Sequence, residues 1–361
     1  MNSPRTNSRN ASTSSRRWLN RSRDTPLPAT IRRSVPSSEL AARRAPLCGC
    51  PLRVVHVNEA ESARRVLFVH AHPDDETINN GATMARYVSV GVGVTLLTCT
   101  LGEEGEVLVP ELAGLAVGQA DQLGGYRISE LSDALRELAV SDSRFLGGAG
   151  RWRDSGMLGT PANDHPRAFW RADPDEICAA AVEVIRDVRP QVLVTYDENG
   201  GYGHPDHIQA HRVAMAALDA AADAAYRPDL GPAWSVAKAY WCAIPVSGLR
   251  AAVEAMRAAG ETFFDVTDAD ELPMGTPDEL VTTAVDGREY LPAKLAAMRA
   301  HATQIQVDGP FFALSNNIAN QAFAVEHYQL VRGARGATDA EGGHETDLFA
   351  GLELDAEAGS L

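Results

Sequence analysis

Short apolar runs alternate with polar loops and amphipathic stretches through most of the chain. Arg65-Val66-Leu67-Phe68-Val69-His70 is continuously apolar, as a buried parallel strand is, and it breaks into the polar segment His72-Pro73-Asp74-Asp75-Glu76. A helix follows over Thr77 to Tyr87, with Gly91 beyond it, and Val92 to Thr100 is a second apolar strand. Strand, loop, helix and strand make one βαβ unit, with the polar loop at the carboxyl end of the first strand. Further helices are expected at Ala113 to Gln122 and at Ile128 to Val140, where Leu131, Leu135 and Leu138 share a stripe. Arg144 to Leu146 predicts a brief strand, and residues 147–172 a long surface loop. Asp173 reads as an N-cap with Pro174 in the first turn of a helix whose apolar face is Ile177, Ala181, Val184 and Ile185. Gln191 to Thr195 is a third strand, Asp206 to Leu218 a helix after the glycine-rich stretch 199–205, and Ser235 to Ile244 another strand. The pattern predicts an α/β, Rossmann-like core over residues 54–245, its sheet mostly parallel and flanked by helices. Residues 246–332, with Phe263-Phe264 and Phe311-Phe312, are expected to form a smaller lobe over the pocket, and residues 333–361 a flexible acidic tail.

Charge divides the chain unevenly. Residues 1–53 carry eleven arginines against Asp24 and Glu39, a net of +9, while the remainder carries −24 within a total of −15. The first segment has no apolar periodicity and predicts a disordered basic extension, a start assigned too far upstream, or a basic targeting tail. The acidic body argues against a nucleic-acid partner. No run of about 18 apolar residues occurs, so no membrane helix is expected. Five cysteines (Cys48, Cys50, Cys99, Cys178, Cys242) are too few and too widely spread for a disulfide scaffold, and Cys99 and Cys178 fall in apolar patterns that predict buried thiols. The expected setting is a reducing, cytoplasmic one. No Gly-x-Gly-x-x-Gly follows the first strand, which removes the usual support for a nucleotide cofactor.

Two loops at strand ends hold the chemistry, where open α/β sheets place their ligands. The first packs His72, Asp74 and Asp75 into four residues stiffened by Pro73. The second, Glu198 to His207, carries Tyr202, His204, Asp206 and His207. One carboxylate and two imidazoles suit Zn²⁺ or Fe²⁺ and leave open positions for water and a substrate oxygen. Spacing leaves both His204 and His207 eligible as the third ligand. His211, one turn deeper, reads as an ordinary helix residue, and His70 as core or support. With Asp75 on one divalent ion, Asp74 is free to take a proton from water. Tyr202 and His204 are donors for an oxyanion, and Asp206 is expected to orient His204. Glu76 has no assigned role beyond favouring a helix start.

His72-Pro73-Asp74-Asp75-Glu76 together with His204-Pro205-Asp206-His207 resembles the LmbE-like, or PIG-L-like, family of zinc-dependent N-acetylglucosaminyl deacetylases. Further likeness lies in Arg127-Ile128-Ser129-Glu130-Leu131, Arg153-Asp154-Ser155-Gly156-Met157 and Tyr196 to Gly203, covering roughly residues 63–330. The resemblance implies metal ligation by His72, Asp75 and His207, a general base at Asp74, charge stabilisation or acid catalysis by His204, assistance from Tyr202, and substrate hydroxyl contacts by Arg127 and Asp154. Within the family it points to a branch acting on a small acetamido-sugar inositol of the mycothiol pathway, with an S-conjugate amidase of that pathway as the alternative. A sugar-binding protein without catalysis is a remote third reading. No obligate protein partner is implied.

Overall fold

The computed structural model describes residues 64–258, 272, 274–307, 324–339 and 343–353. The basic segment 1–53, Cys48, Cys50, both Phe-Phe pairs and the last eight residues lie outside the described residues. Seven strands form one sheet: β1 (Arg65–His70), β2 (Gly93–Thr98), β3 (Asp142–Phe145), β4 (Val192–Thr195), β5 (Lys238–Ala243), β6 (Thr283–Asp286) and β7 (Val325–Arg332). Their order is β3-β2-β1-β4-β5-β7-β6, with the first five parallel and β7 antiparallel to both of its neighbours. From β1 the chain first winds outward through β2 and β3, then returns to lay β4 on the other side of β1. The reversal opens a crevice between the carboxyl ends of β1 and β4, the place where such sheets bind ligands.

Alternation along the central strands divides the core in two. Leu67, Val69, Leu97 and Leu193 pack on one face with residues of α3 (Pro174–Val188) and α4 (Pro205–Ala222), such as Ile177 and Val213. Val66, Phe68, Leu96 and Val194 pack on the other with Met84 of α1 (Asp75–Ser89), Leu131 of α2 (Leu123–Glu137) and Ala297 of α6 (Leu291–Ala300). Both faces are covered, which is why these strands are apolar throughout. A further helix, α5 (Val246–Ala258), follows β5. Asp173 caps α3 as expected, accepting from the N–H groups of Asp175 (2.9 Å) and Glu176 (3.3 Å). Cys99 and Cys178 are buried free thiols.

Five expectations are corrected. The helix expected at 113–122 is a 3-10 turn over Pro110–Leu115 with no buried residue, since Gly114 and Gly118 interrupt a stretch without an apolar face. The helix expected from Ile128 begins at Leu123, and its second residue must be small: a Cβ on Gly124 would stand 2.7 Å from Cγ of Glu103. Residues 147–172 are not a surface loop, because Trp152, Arg153, Asp154, Ser155 and Phe169 are buried. The described part of 246–332 is no separate lobe: β6 and β7 extend the one sheet, and α6 packs against α1 and α2. The acidic tail is docked as far as it is described. Lys238 Nζ donates to Glu345 Oε1 at 2.6 Å with both side chains fully buried, and Leu348 and Phe349 enter the core.

Candidate metal centre

The polar loop after β1 and the start of α4 meet in the crevice. His72 Nδ1 and His207 Nε2 are 3.3 Å apart, His207 Nε2 is 3.4 Å from Asp75 Oδ1, and His72 Nδ1 is 3.5 Å from Asp75 Oδ2. A tetrahedral ion with bonds of about 2.1 Å spaces its ligands about 3.4 Å apart, so the three donors fit zinc or iron(II). All three residues are buried.

The hydrogen-bond partners of the imidazoles distinguish the two histidines that spacing left open. His207 Nδ1 faces the Gly200 carbonyl at 3.1 Å and must donate to it, leaving the Nε2 lone pair for the crevice. His72 turns Nε2 toward Asp206 Oδ2 (3.3 Å), leaving Nδ1 for the crevice. His204 is opposite. As N-cap of α4, its Nδ1 accepts the Asp206 N–H at 3.1 Å, so a neutral ring carries its proton on Nε2 and presents a donor. Burial, with the His72 and His207 rings beside it, holds His204 down to about 3. His204 therefore suits a developing negative charge, and His207 suits an ion. Gly200 is required here: its φ is +64°, and a Cβ would stand 2.6 Å from that of His207.

Carboxylates surround the imidazoles. Asp75 accepts the His72 N–H (2.9 Å), and although burial alone would raise its carboxyl, His207 and His72 hold it well below the usual range. Asp154 Oδ1 accepts the Gly156 N–H (2.8 Å) and lies 3.6 Å from His72 Nε2. Asp206 does not orient the His204 ring with its side chain; its carboxylate reaches His72 and accepts the Ser155 N–H at 2.8 Å. The expectation that it orients His204 is corrected, because Asp206 lies in the first turn of α4 and points inward, and only its N–H faces His204. Burial raises Asp206 to about 6, and its Oδ1 has no hydrogen-bond partner among the described residues.

Asp74 stands at the entry to α1 with φ 125°, a conformation unusual for a residue with a Cβ. Burial pushes its carboxyl up and the Arg127 guanidinium pulls it back, leaving it at about 6. Arg127 is buried, 3.0 Å from Asp74 Oδ2, and donates to the carbonyls of Gly102 (2.7 Å) and Pro73. The structure thus sets Arg127 against the base candidate. Tyr202 is on the rim, 39% exposed, its ring 5.0 Å from that of His207 and 6.2 Å from that of His204. His211 bonds the Tyr196 carbonyl (3.0 Å) and takes no part in the cluster's contacts.

Sequence reasoning missed three participants. Tyr196 stacks on His207 (centroids 4.3 Å, 22°) and accepts the Ala71 N–H at 3.0 Å. Glu103 Oε2 accepts the Asp154 N–H at 2.9 Å. His301 bonds Glu76, 225 residues away, at 2.8 Å. Tyr196 was marked by its place at the end of β4 and at the start of the Tyr196 to Gly203 likeness, without a role; no local pattern marks His301.

A buried cluster of imidazoles and carboxylates at the switch point of a Rossmann-like sheet is an α/β site suited to a divalent ion and to hydrolysis. The family model described as PIG-L: GlcNAc-PI de-N-acetylase matches residues 67–218, and the chain belongs to this family. The 1D-myo-inositol 2-acetamido-2-deoxy-alpha-D-glucopyranoside deacetylase of Geodermatophilus obscurus is 70% identical over 292 residues, covering 80% of this chain and 98% of that one. The enzyme of the same name from Acidothermus cellulolyticus is 60% identical over 300 residues, covering 82% and 98%. Among solved structures, N,N'-diacetylchitobiose deacetylase from Pyrococcus horikoshii superposes with a TM-score of 0.51 at 18% identity, covering 76% of this chain and 86% of its own. GalB, the 4-carboxy-2-hydroxymuconate hydratase of Pseudomonas putida, reaches 0.52 at 19%, covering 77% and 100%. These two show the shared fold alone, since one fold hosts different reactions.

Proposed function

We propose that the chain hydrolyses the acetamide of 1D-myo-inositol 2-acetamido-2-deoxy-α-D-glucopyranoside, releasing acetate and the free glucosaminyl-inositol, a step of mycothiol biosynthesis. The observation that carries this reading is the 70% identity along 98% of a relative so named. The donor set agrees with it chemically. His72, Asp75 and His207 would hold one divalent ion, zinc or iron(II), with the remaining positions open. Such an ion, when bound, polarises water and an amide carbonyl.

The chain's own groups supply the rest. Asp74 takes the proton from the attacking water as the water oxygen bonds the acetamide carbon. His204 Nε2–H donates to the carbonyl oxygen as charge gathers there, and the Tyr202 hydroxyl closes on it from the rim. Asp74 then returns the proton to the leaving nitrogen, and the C–N bond breaks to acetate and amine. His204 does not deliver that proton, because its Nδ1 is committed to capping α4. Asp154 fixes the face of His72 and the loop that would meet the sugar.

Acetate release from this substrate, run beside cleavage of a bimane-labelled mycothiol conjugate, tests the proposal. Deacetylation with little conjugate cleavage is expected; the reverse preference would make the chain an amidase.

A further inference from the structure

Glu76 and His301 make a connection that the reaction as described does not use. Glu76 Oε2 accepts the backbone N–H of Asp74 at 2.8 Å. Its other oxygen accepts from His301 Nε2 (2.8 Å) and from the Thr77 hydroxyl (2.5 Å). Glu76 and His301 are both fully buried. His301 ends α6, and the turn after it is clamped from a second side: Thr303 donates its N–H (2.8 Å) and hydroxyl (2.6 Å) to Glu130 of α2, and its carbonyl accepts the Leu108 N–H (2.9 Å). The histidine is therefore held rigidly, and it holds the glutamate.

The restraint falls on the one residue of the site whose backbone is unfavourable. Asp74, at φ 125°, persists in that conformation only if its surroundings over-determine it. Its N–H is tied by Glu76, the preceding Pro73 carbonyl by Arg127, and its own carbonyl by the N–H groups of Thr77 (3.1 Å) and Ile78 (3.0 Å). Two of these ties reach other helices: Arg127 acts from α2, and the Glu76 bond continues through a fully buried pair to the end of α6.

We infer that His301 is a positioning residue for hydrolysis: through Glu76 it locks the Asp74 backbone in its strained conformation and so aims the Asp74 carboxylate at the attacking water. The inference rests on Asp74 being the general base. His301 touches no reacting atom, and the metal ligands do not depend on it. Its loss costs turnover, with metal binding and substrate affinity kept.

A double-mutant cycle on the full-length, metal-loaded chain separates the possibilities. His301→Leu is expected to lower kcat by about 10- to 100-fold with KM, metal content and affinity for the ion unchanged. His301→Gln, which keeps an N–H donor at the same reach, restores most of that loss. In the Asp74→Asn background the His301→Leu change has no further effect, because the group it aims is gone. Thermal melting of each variant reports folding, and if His301→Leu unfolds the chain the Gln variant and Glu76→Ala complete the cycle. Multiplying losses in the double mutant, or a fall in metal affinity equal to the fall in kcat, would overturn the positioning role. Near-normal turnover by Asp74→Asn alone would instead overturn the base assignment.

Discussion

Arg127 lies 3.0 Å from Asp74 with its guanidinium also on the carbonyls of Gly102 and Pro73, an arrangement with little room for a substrate hydroxyl. The contact favours the ionised form of a buried carboxylate and fixes its direction. A Cβ on Gly102 would stand 2.0 Å from Arg127 Nη1, so the loop after β2 is shaped around this side chain. Arg127→Lys keeps the charge but loses the fork that reaches three oxygens. It is expected to lower kcat by about 100-fold with a smaller effect on KM, measured by steady-state acetate release. A rise in KM alone would return Arg127 to the substrate-binding role its family resemblance implies.

Asp206 supports His72, and the consequence concerns metal affinity. A carboxylate on the far nitrogen of a ligating imidazole fixes its tautomer and strengthens its donor. Asp206→Asn is expected to weaken binding of the divalent ion by about 10- to 100-fold in competition with a chromogenic chelator. Unchanged affinity with altered His204 behaviour would restore the partnership that the sequence suggested.

His204 caps α4 through Nδ1 and is held neutral, so in the proposed reaction its part is charge stabilisation by Nε2–H. Replacing it with Ala is expected to cut kcat by about 10²- to 10³-fold while metal content stays at the wild-type level. Loss of the ion from that variant would make His204 a ligand.

The docked tail gives stability a pH dependence. Burial alone would raise the Glu345 carboxyl, but Lys238, the Gly336 N–H and the Thr283 hydroxyl together hold it below its ordinary value. A depressed folded-state value means the stabilisation is complete above the unfolded value of about 4.5 and is lost as pH falls through the lower folded value. Glu345→Gln should cost about 3 kcal/mol at neutral pH by stranding a buried Lys238 ammonium, and should flatten the fall in denaturant midpoint below about pH 4.5. An unchanged acid limb would remove Glu345 from that account.

Local pattern was enough for β1, β2 and β4, because strands buried on both faces must be apolar and their loops must carry the polar chemistry. It was enough, too, for the capped start of α3, where Asp173 and Pro174 act within one turn. It failed where distant contacts decide. Gly124 is tolerated in α2 because Glu103 fills the space beside it, and the 147–172 stretch is ordered by burying Trp152 against Phe169, neither of which shows as a period. At the site, residue types and their strand-end placement marked His72, Asp74, Asp75 and His207. The directions of the two Nδ1 atoms, which favour His207 over His204 as the proposed ligand, are not legible in spacing, and Asp206 was misassigned because adjacency in sequence does not tell which way a first-turn side chain points. Glu76 stayed unplaced for the same reason: its partner His301 lies 225 residues on.

Metal content and acetate release measured on the same preparation test the central claim most directly. The wild-type chain should hold one divalent ion, lose turnover on chelation and regain it when zinc or iron(II) is returned, while His207→Ala should stay folded and retain neither ion nor activity. Undiminished acetate release from an ion-free chain, or full metal occupancy in His207→Ala, would contradict it.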